Sequence, residues 1–342
     1  MKKVRILSID GGGIRGIIPG LILSRLEEKL QKESGKADAK LADYFDFMAG
    51  TSTGAILVLY YLVPGEGGKP KFTADEAVKI YLERGDTIFD VNIWQAITSF
   101  KGVSDEKYDA RELEKALDDT FKELKLSELI KPCIISSYDI KNGKPHFFKQ
   151  HRSTNDIYNF RVKDIARATS AAPTYFECAL IKNEIGTSYP LIDGGVFVNN
   201  PSLVSYSEAR TMTFGDIKNP TAKDMMIVSL GTGSTPKRFE YKKAKDWGPV
   251  SWIKPSLDIM MDGNSQTVDH HLCQIYDTLK EEADRKNYHR LTPNRLTADP
   301  AMDNASKENM SLLKEDALSY ISDSEIDEEL DAIAKKLVEY GE

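Results

Sequence analysis

The sequence predicts a layered α/β fold, and three observations carry that prediction. Short apolar runs of strand character alternate with helical patterns along most of the chain. Two strand–turn–helix units stand near the N-terminus, with small residues in both turns. The 342 residues are enough to bury a large core. A composition of 41% hydrophobic and 29% charged residues excludes collagen-like, low-complexity and wholly disordered chains. The 46 Lys and Arg stand against 53 Asp and Glu, a net charge of −7, so there is no global basic field to gather nucleic acid, and none is expected as a partner.

Taken in order, Val4 to Ile9 reads as a strand, followed by Gly11 to Gly13 and a helix with Pro19 early and Ile22, Leu26 and Leu30 on one face. Phe45 to Ala49 is a second strand, Gly50-Thr51-Ser52-Thr53-Gly54 a turn, and Ala55 to Val63 a helix apolar all round, hence buried. These two units are expected as neighbours in one sheet. Thr73 and Glu76 form a capping box for a helix that Gly85 can close; Asp109 with Glu112 can open another through Leu113, Leu117 and Phe121. Pro132 to Tyr138 and His146 to Lys149 flank Asn142-Gly143, a hairpin signal that adds an antiparallel excursion to the sheet. A helix near Lys163 to Ser170, a strand into Asp193, a helix opened by Asn200-Pro201 and a strand at Met225 to Leu230 follow. Residues 256–286 read as mostly helical, and two more helices run from Ser306 to the end, so the C-terminal third is expected to pack on the sheet rather than extend it. Without repeats, and with no linker longer than Gly65 to Gly68, one domain over 1–342 is expected.

Cys133, Cys178 and Cys273 are odd in number and widely spaced, so neither a disulfide framework nor a structural zinc site is encoded, and no metal is expected. The longest apolar stretch, Ala55 to Val63, is nine residues, against the roughly 20 a membrane-spanning helix needs. The N-terminus lacks a signal-like apolar run, which makes a cytoplasmic location the expectation.

Three constellations point to chemistry. Gly50 to Gly54 is a GxSxG pattern placed between a strand and a buried helix, the context in which Ser52 would sit exposed on a tight elbow at a helix N-terminus; taken alone, it is also an ordinary Ser/Thr N-cap. A serine hydroxyl needs a base. His270, His271 and His289 follow Ser52 in the chain order of a triad, but none lies in a small-residue loop. The other candidate is Asp193 in Leu191-Ile-Asp-Gly-Gly195, where a carboxylate held out of water could have a raised pKa and accept the serine proton directly; locally it also reads as a turn aspartate. Asp10-Gly11-Gly12-Gly13-Ile14-Arg15-Gly16 can aim backbone N–H groups at an oxyanion, with Arg15 adding positive charge. Gly11, Gly13 and Gly16 also satisfy GxGxxG, which keeps a dinucleotide site open, although Glu33 and Asp38 lie in a polar loop rather than ending a second strand.

Together these pieces resemble the patatin-like acyl hydrolases. The likeness extends to Leu41-Ala-Asp-Tyr-Phe-Asp46, Ser137-Tyr-Asp-Ile140, Ala171-Ala-Pro-Thr-Tyr-Phe176, Ser229-Leu-Gly-Thr-Gly233, Trp247-Gly-Pro249 and Met302-Asp-Asn-Ala-Ser306, and so covers nearly the whole chain. The resemblance implies a three-layer α/β/α sandwich with a mostly parallel central sheet. It implies Ser52 as nucleophile, Asp193 as base in a dyad without histidine, and an oxyanion hole from Gly11, Gly12 and Gly13 with Arg15 beside it. The implied reaction is hydrolysis of acyl esters of phospholipids or related lipids through an acyl-serine intermediate, without metal or cofactor. Gly195 departs from the alanine of many plant members.

Bacterial relatives of this kind include antiphage effectors switched on by a cyclic nucleotide, and a cytoplasmic chain fits such an enzyme as well as a housekeeping lipase; no messenger-binding motif is readable. A catalytically silent storage or binding protein also stays open. Phe89, Ile93, Trp94 and Phe100 are candidates for membrane contact or for core, and Lys237, Arg238, Lys242, Lys243 and Lys245 form the one basic cluster, either a solvated loop or a contact for a phosphate-bearing ligand. Oligomeric state is not encoded legibly.

Overall fold

The computed structural model describes residues 2–88, 111–234 and 239–341. A mixed sheet runs β10-β9-β1-β2-β3-β6-β5, where β1 is Val4–Ile9, β2 Phe47–Thr51, β3 Cys133–Asp139, β5 Ala179–Lys182, β6 Ser188–Asp193, β9 Met225–Leu230 and β10 Tyr288–Leu291, while β7 (Thr213–Phe214) and β8 (Ile217–Lys218) pair as a separate two-stranded ribbon. The five strands from β10 to β3 are mutually parallel; β6 lies antiparallel to β3 and to β5. The expected excursion is present: β4 (Lys144–Lys149) returns antiparallel on β3 through a turn in which Gly143 takes φ 62°.

Strand alternation feeds a core on each face of the sheet. From β1, Leu7 and Ile9 face one core, shared with helices α1 (Ile17–Ser34), α2 (Thr53–Tyr61), α3 (Ala74–Ile88), α4 (Arg111–Phe121) and α5 (Val162–Thr169). Val4 and Ile6 face the other, closed by α6 (Ser202–Ala209) and the far half of α7 (Pro249–Asp277). Two layers of helix around a sheet give the α/β/α sandwich. The all-apolar α2 is buried along its whole length, as its composition requires. The C-terminal helices α8 (Lys307–Ile321) and α9 (Ser324–Glu339) place Leu313, Ala317, Leu330, Ile333 and Leu337 in the first core, against α1.

Three local expectations need correcting. The C-terminal third does extend the sheet: β10 pairs in parallel with β9 from Tyr288↔Ile227 to Leu291↔Leu230. Four residues with one buried apolar side chain are too short for an alternation to be legible. Gly85 does not close α3, which runs on to Ile88; it lies inside the helix, where a Cβ would come within 2.8 Å of Ile14 Cδ1 and Met310 Sδ. The long helix starts at Pro249 rather than near 256, with Pro at its first position and Pro255 inside it. The Thr73–Glu76 capping box is present, with Glu76 N donating to Thr73 Oγ1 at 3.1 Å and Thr73 N to Glu76 Oε2 at 2.8 Å. Asp109, like Phe89, Ile93, Trp94, Phe100, Lys237 and Arg238, falls outside the described residues.

Candidate active site

Strand register brings together residues that lie far apart in the chain. Ile9 of β1 stands opposite Gly50 of β2, so the glycine loop after β1 and the elbow after β2 emerge side by side at the carboxyl edge of the parallel strands. Thr51 pairs with Ser136, and the next residue of β3, Ser137, pairs with Asp193. Ser52 and Asp193 are therefore held about one strand apart, and both line the same cavity, with the Ser52 hydroxyl near enough to the Asp193 carboxyl to lower its pKa. Both are nearly closed to solvent, at 7% and 3% exposure.

Ser52 sits at φ 53° and ψ −125°, outside the regions open to an ordinary L-residue, directly before the first residue of α2. Its neighbours make that strained turn possible. A Cβ on Gly50 would fall 2.5 Å from Ala55 Cα, and one on Gly54 would fall within 2.6 Å of the carbonyl oxygens of Ile9 and Asp10. The elbow is pinned from outside as well: Ser52 N donates to Thr169 Oγ1 at 2.9 Å, and Thr169 Oγ1 donates to Ser136 O at 2.7 Å.

Asp193 ends β6 and accepts a 2.7 Å hydrogen bond from Gly195 N. Burial raises its pKa from 3.8 to about 6, against the nearby Ser52 hydroxyl and the Gly195 hydrogen bond, which lower it. Such a carboxyl is poised to exchange a proton near neutral pH. Gly194 is required by the close approach of Ser136, whose Oγ would lie 2.3 Å from a Cβ there.

Neighbouring atoms fill the side-chain space at the glycine loop, while Gly13 lines the cavity that holds Ser52. A Cβ on Gly11, Gly12 or Gly13 would collide with Asn199 Oδ1, Thr232 Oγ1 or Met302 O respectively, and Gly13 holds φ +59°. Gly11 N already donates to the Asn199 carbonyl at 3.1 Å. The Gly12 and Gly13 amides have no acceptor among the described residues, which leaves these two N–H groups for an incoming oxygen. Arg15 is buried, donating from Nη1 to Gly233 O at 2.9 Å and from Nε to Gly12 O at 3.3 Å, so it braces the loop from behind. Behind the loop, Arg290 binds Asp10 in a bidentate pair at 2.9 and 2.6 Å.

Ser52 and Asp193 open into a cavity whose wall is overwhelmingly apolar, formed by residues such as Ile56, Leu113, Phe176, Val196, Leu257 and Met261. A polar reactive pair at the end of an apolar slot suits an ester whose acyl chain is long. None of the five histidines lines it. His289 pairs with Glu329 at 3.0 Å and His151 with Glu208 at 3.0 Å; His146 is packed against Phe148, Phe160 and Tyr189, and its burial lowers its pKa to about 4; His270 and His271 lie on α7. Thr169, Ser136, Asn199 and Arg290 were not legible as site residues. Each acts on a neighbour through tertiary contact, and no local pattern marks it.

Fold and cavity define a class: an α/β/α protein that presents an elbow serine and a buried carboxylate to an apolar slot. The chain belongs to the patatin-like phospholipase family, whose model matches residues 7–204, and at the level of that family it is a lipid acyl hydrolase. It is 35% identical over 337 residues to patatin-like protein 2 of Oryza sativa subsp. indica, covering 92% of this chain and 82% of that protein. It is 36% identical to patatin-like protein 2 of Arabidopsis thaliana, with 91% and 81% covered, and 36% identical to patatin group J-1 of Solanum tuberosum, with 91% and 82% covered.

Proposed function

We propose that the chain hydrolyses acyl esters of phospholipids or related lipids on a Ser52–Asp193 dyad. The observation that carries this reading is the meeting, at the head of one apolar slot, of the strained, buried Ser52 with a buried carboxyl whose pKa is raised to about 6. Ser52 Oγ attacks the ester carbonyl carbon while its proton passes to Asp193; the carbonyl oxygen, now negative, is met by the N–H groups of Gly12 and Gly13. Collapse of this intermediate breaks the ester C–O bond, the leaving alkoxide takes the proton from Asp193, and an acyl-serine remains. Water, deprotonated by Asp193, then attacks the acyl carbon and restores Ser52 as the fatty acid leaves.

Labelling with a fluorophosphonate followed by intact-mass measurement tests the dyad. One adduct that maps to Ser52, vanishes in Ser52→Ala and is lost or slowed at least about a thousandfold in Asp193→Asn is expected, because removing a base from a serine nucleophile costs on that order. Unchanged labelling of Asp193→Asn, or loss of labelling in His289→Ala, would overturn it. The same measurement made with and without cyclic nucleotides tests whether a messenger governs the site: an adduct that forms only with the nucleotide supports an effector role, and equal labelling removes it.

A further inference from the structure

Above the slot, the chain from Phe239 to Met260 carries a concentration of apolar side chains that the fold leaves in solvent. Tyr241 is 80% exposed, Val250 82%, Ile253 50% and Trp252 40%. Phe239, Trp247 and Trp252 stack edge to face in a row, with ring centroids 5.2 and 5.0 Å apart. Large apolar patches of this kind are unusual on a protein surface and mark an interaction site.

The helical spacing gives the patch a direction. On α7, Val250, Ile253, Leu257, Met260 and Met261 follow at intervals of three, four, three and one, which places them along one stripe. The outer end of the stripe, Val250 and Ile253, is in solvent; its inner end, Leu257, Met260 and Met261, lines the cavity that holds Ser52. An apolar path thus runs without interruption from the surface to the reactive pair. Charge specifies what the surface fits. Residues 239–260 contain Lys242, Lys243, Lys245 and Lys254 against Glu240, Asp246 and Asp258, an excess of one positive charge in a chain of net charge −7, with Lys243 paired to Glu240 at 3.2 Å and Lys245 to Asp246 at 3.9 Å. Tyr241, Lys242 and Lys243 on the single helical turn Tyr241–Ala244 stand exposed. Tryptophan with lysine around an apolar stripe is the composition of helices that lie in a membrane interface.

We propose that residues 239–260 form the docking surface for an anionic lipid bilayer, seating the mouth of the Ser52 slot on the acyl region so that one chain can slide along the α7 stripe. This rests on the acyl-hydrolase reading for its purpose but not for its test. Flotation of the Ser52→Ala protein with vesicles of equimolar phosphatidylglycerol and phosphatidylcholine is expected to show binding, weaker on pure phosphatidylcholine. Val250→Asp with Ile253→Asp should weaken vesicle binding about tenfold or more, and Lys242→Glu, Lys243→Glu and Lys245→Glu about fivefold per site. In the wild-type background these variants should hydrolyse a short, monomeric soluble ester at the unaltered rate, which shows that they fold. Vesicle binding that survives the Val250/Ile253 pair overturns the proposal. So does a protein that never binds vesicles and whose dimer, seen by sedimentation, falls to monomer with that pair, since the face would then belong to a second copy. Vesicle binding lost in the variants of a protein that cleaves no ester would keep the docking surface and remove the acyl-hydrolase reading instead.

Discussion

At the scale of single residues, Asp193 shows what the site asks of the fold. Its carboxyl is raised from 3.8 to about 6 by burial, so the neutral form is the one the folded state accommodates easily. The stabilising effect of that neutral form is complete below pH 3.8 and is lost as pH rises toward 6; above that, the native state must hold a charge in a dry site. Asp193→Asn, which keeps an oxygen for Gly195 N, is therefore expected to stabilise the protein by about 2–3 kcal/mol at pH 7.5 and by much less at pH 4.5. Paired urea melts at the two pH values check this; equal effects at both would show that Asp193 titrates normally. Ester hydrolysis should rise with pH on a limb centred near 6, where Asp193 gains its charge, and a limb that persists in Asp193→Asn with residual turnover would assign it to another group. Ser52, Asp193 and the glycines were legible because their signals are local: a serine between glycines, after one strand and before one helix, an aspartate before paired glycines at a strand end, and a glycine run after another strand. Thr169 and Asn199 were not, because they touch the site from elements more than a hundred residues away from Ser52.

At the scale of elements, the elbow depends on contact between neighbouring strands. Gly54 lies in the first turn of α2, where a Cβ would press on the carbonyls of Ile9 and Asp10, backbone that cannot move without shifting the end of β1. Gly54→Ala should cost on the order of 2–4 kcal/mol and displace Ser52 from Asp193. Its melting temperature and its fluorophosphonate labelling should fall together; a stable, fully labelled variant would mean that the elbow is more compliant than its geometry indicates. The long helix α7 is different. Its far half is pinned by Val268, Leu272 and Tyr276 in the second core, whereas no residue from 249 to 260 is fully buried where side chains are described. Its start at Pro249 escaped the sequence reading because the residues there are apolar without a buried partner, so the periodicity that marks a packed helix has nothing to face. The strands β5 and β10, four residues each, escaped for the opposite reason: paired ladders, not their own composition, hold them.

At the scale of the molecule, the larger core draws on side chains from Leu7 to Tyr340, so the C-terminal helices share it with the first strand of the sheet. Leu330 and Ile333 of α9 are fully buried there, and Leu330→Ala is expected to cost about 2–4 kcal/mol while the protein still unfolds in one transition. Two separated calorimetric transitions would show instead that residues 307–339 form a unit of their own. Arg5, in β1, bridges the same distance, donating to Asp46 Oδ1 at 2.8 Å and to Leu337 O at 3.0 Å. Among the described residues no helix is long and apolar enough to cross a membrane.

The layered α/β fold and the adjacency of the first two strands were determined by the sequence on its own, and Ser52, Asp193 and the glycine loop were marked by it as candidates, because each is written in residues that are neighbours along the chain. Tertiary structure alone decided that no histidine reaches Ser52, that Gly11 offers its amide to Asn199 while Gly12 and Gly13 keep theirs, that Arg15 braces the loop from behind, and that an apolar stripe leads from the slot to the surface. These depend on strand register and on which faces of distant helices meet, and register and facing are set by packing across the whole core rather than by any local run of residues.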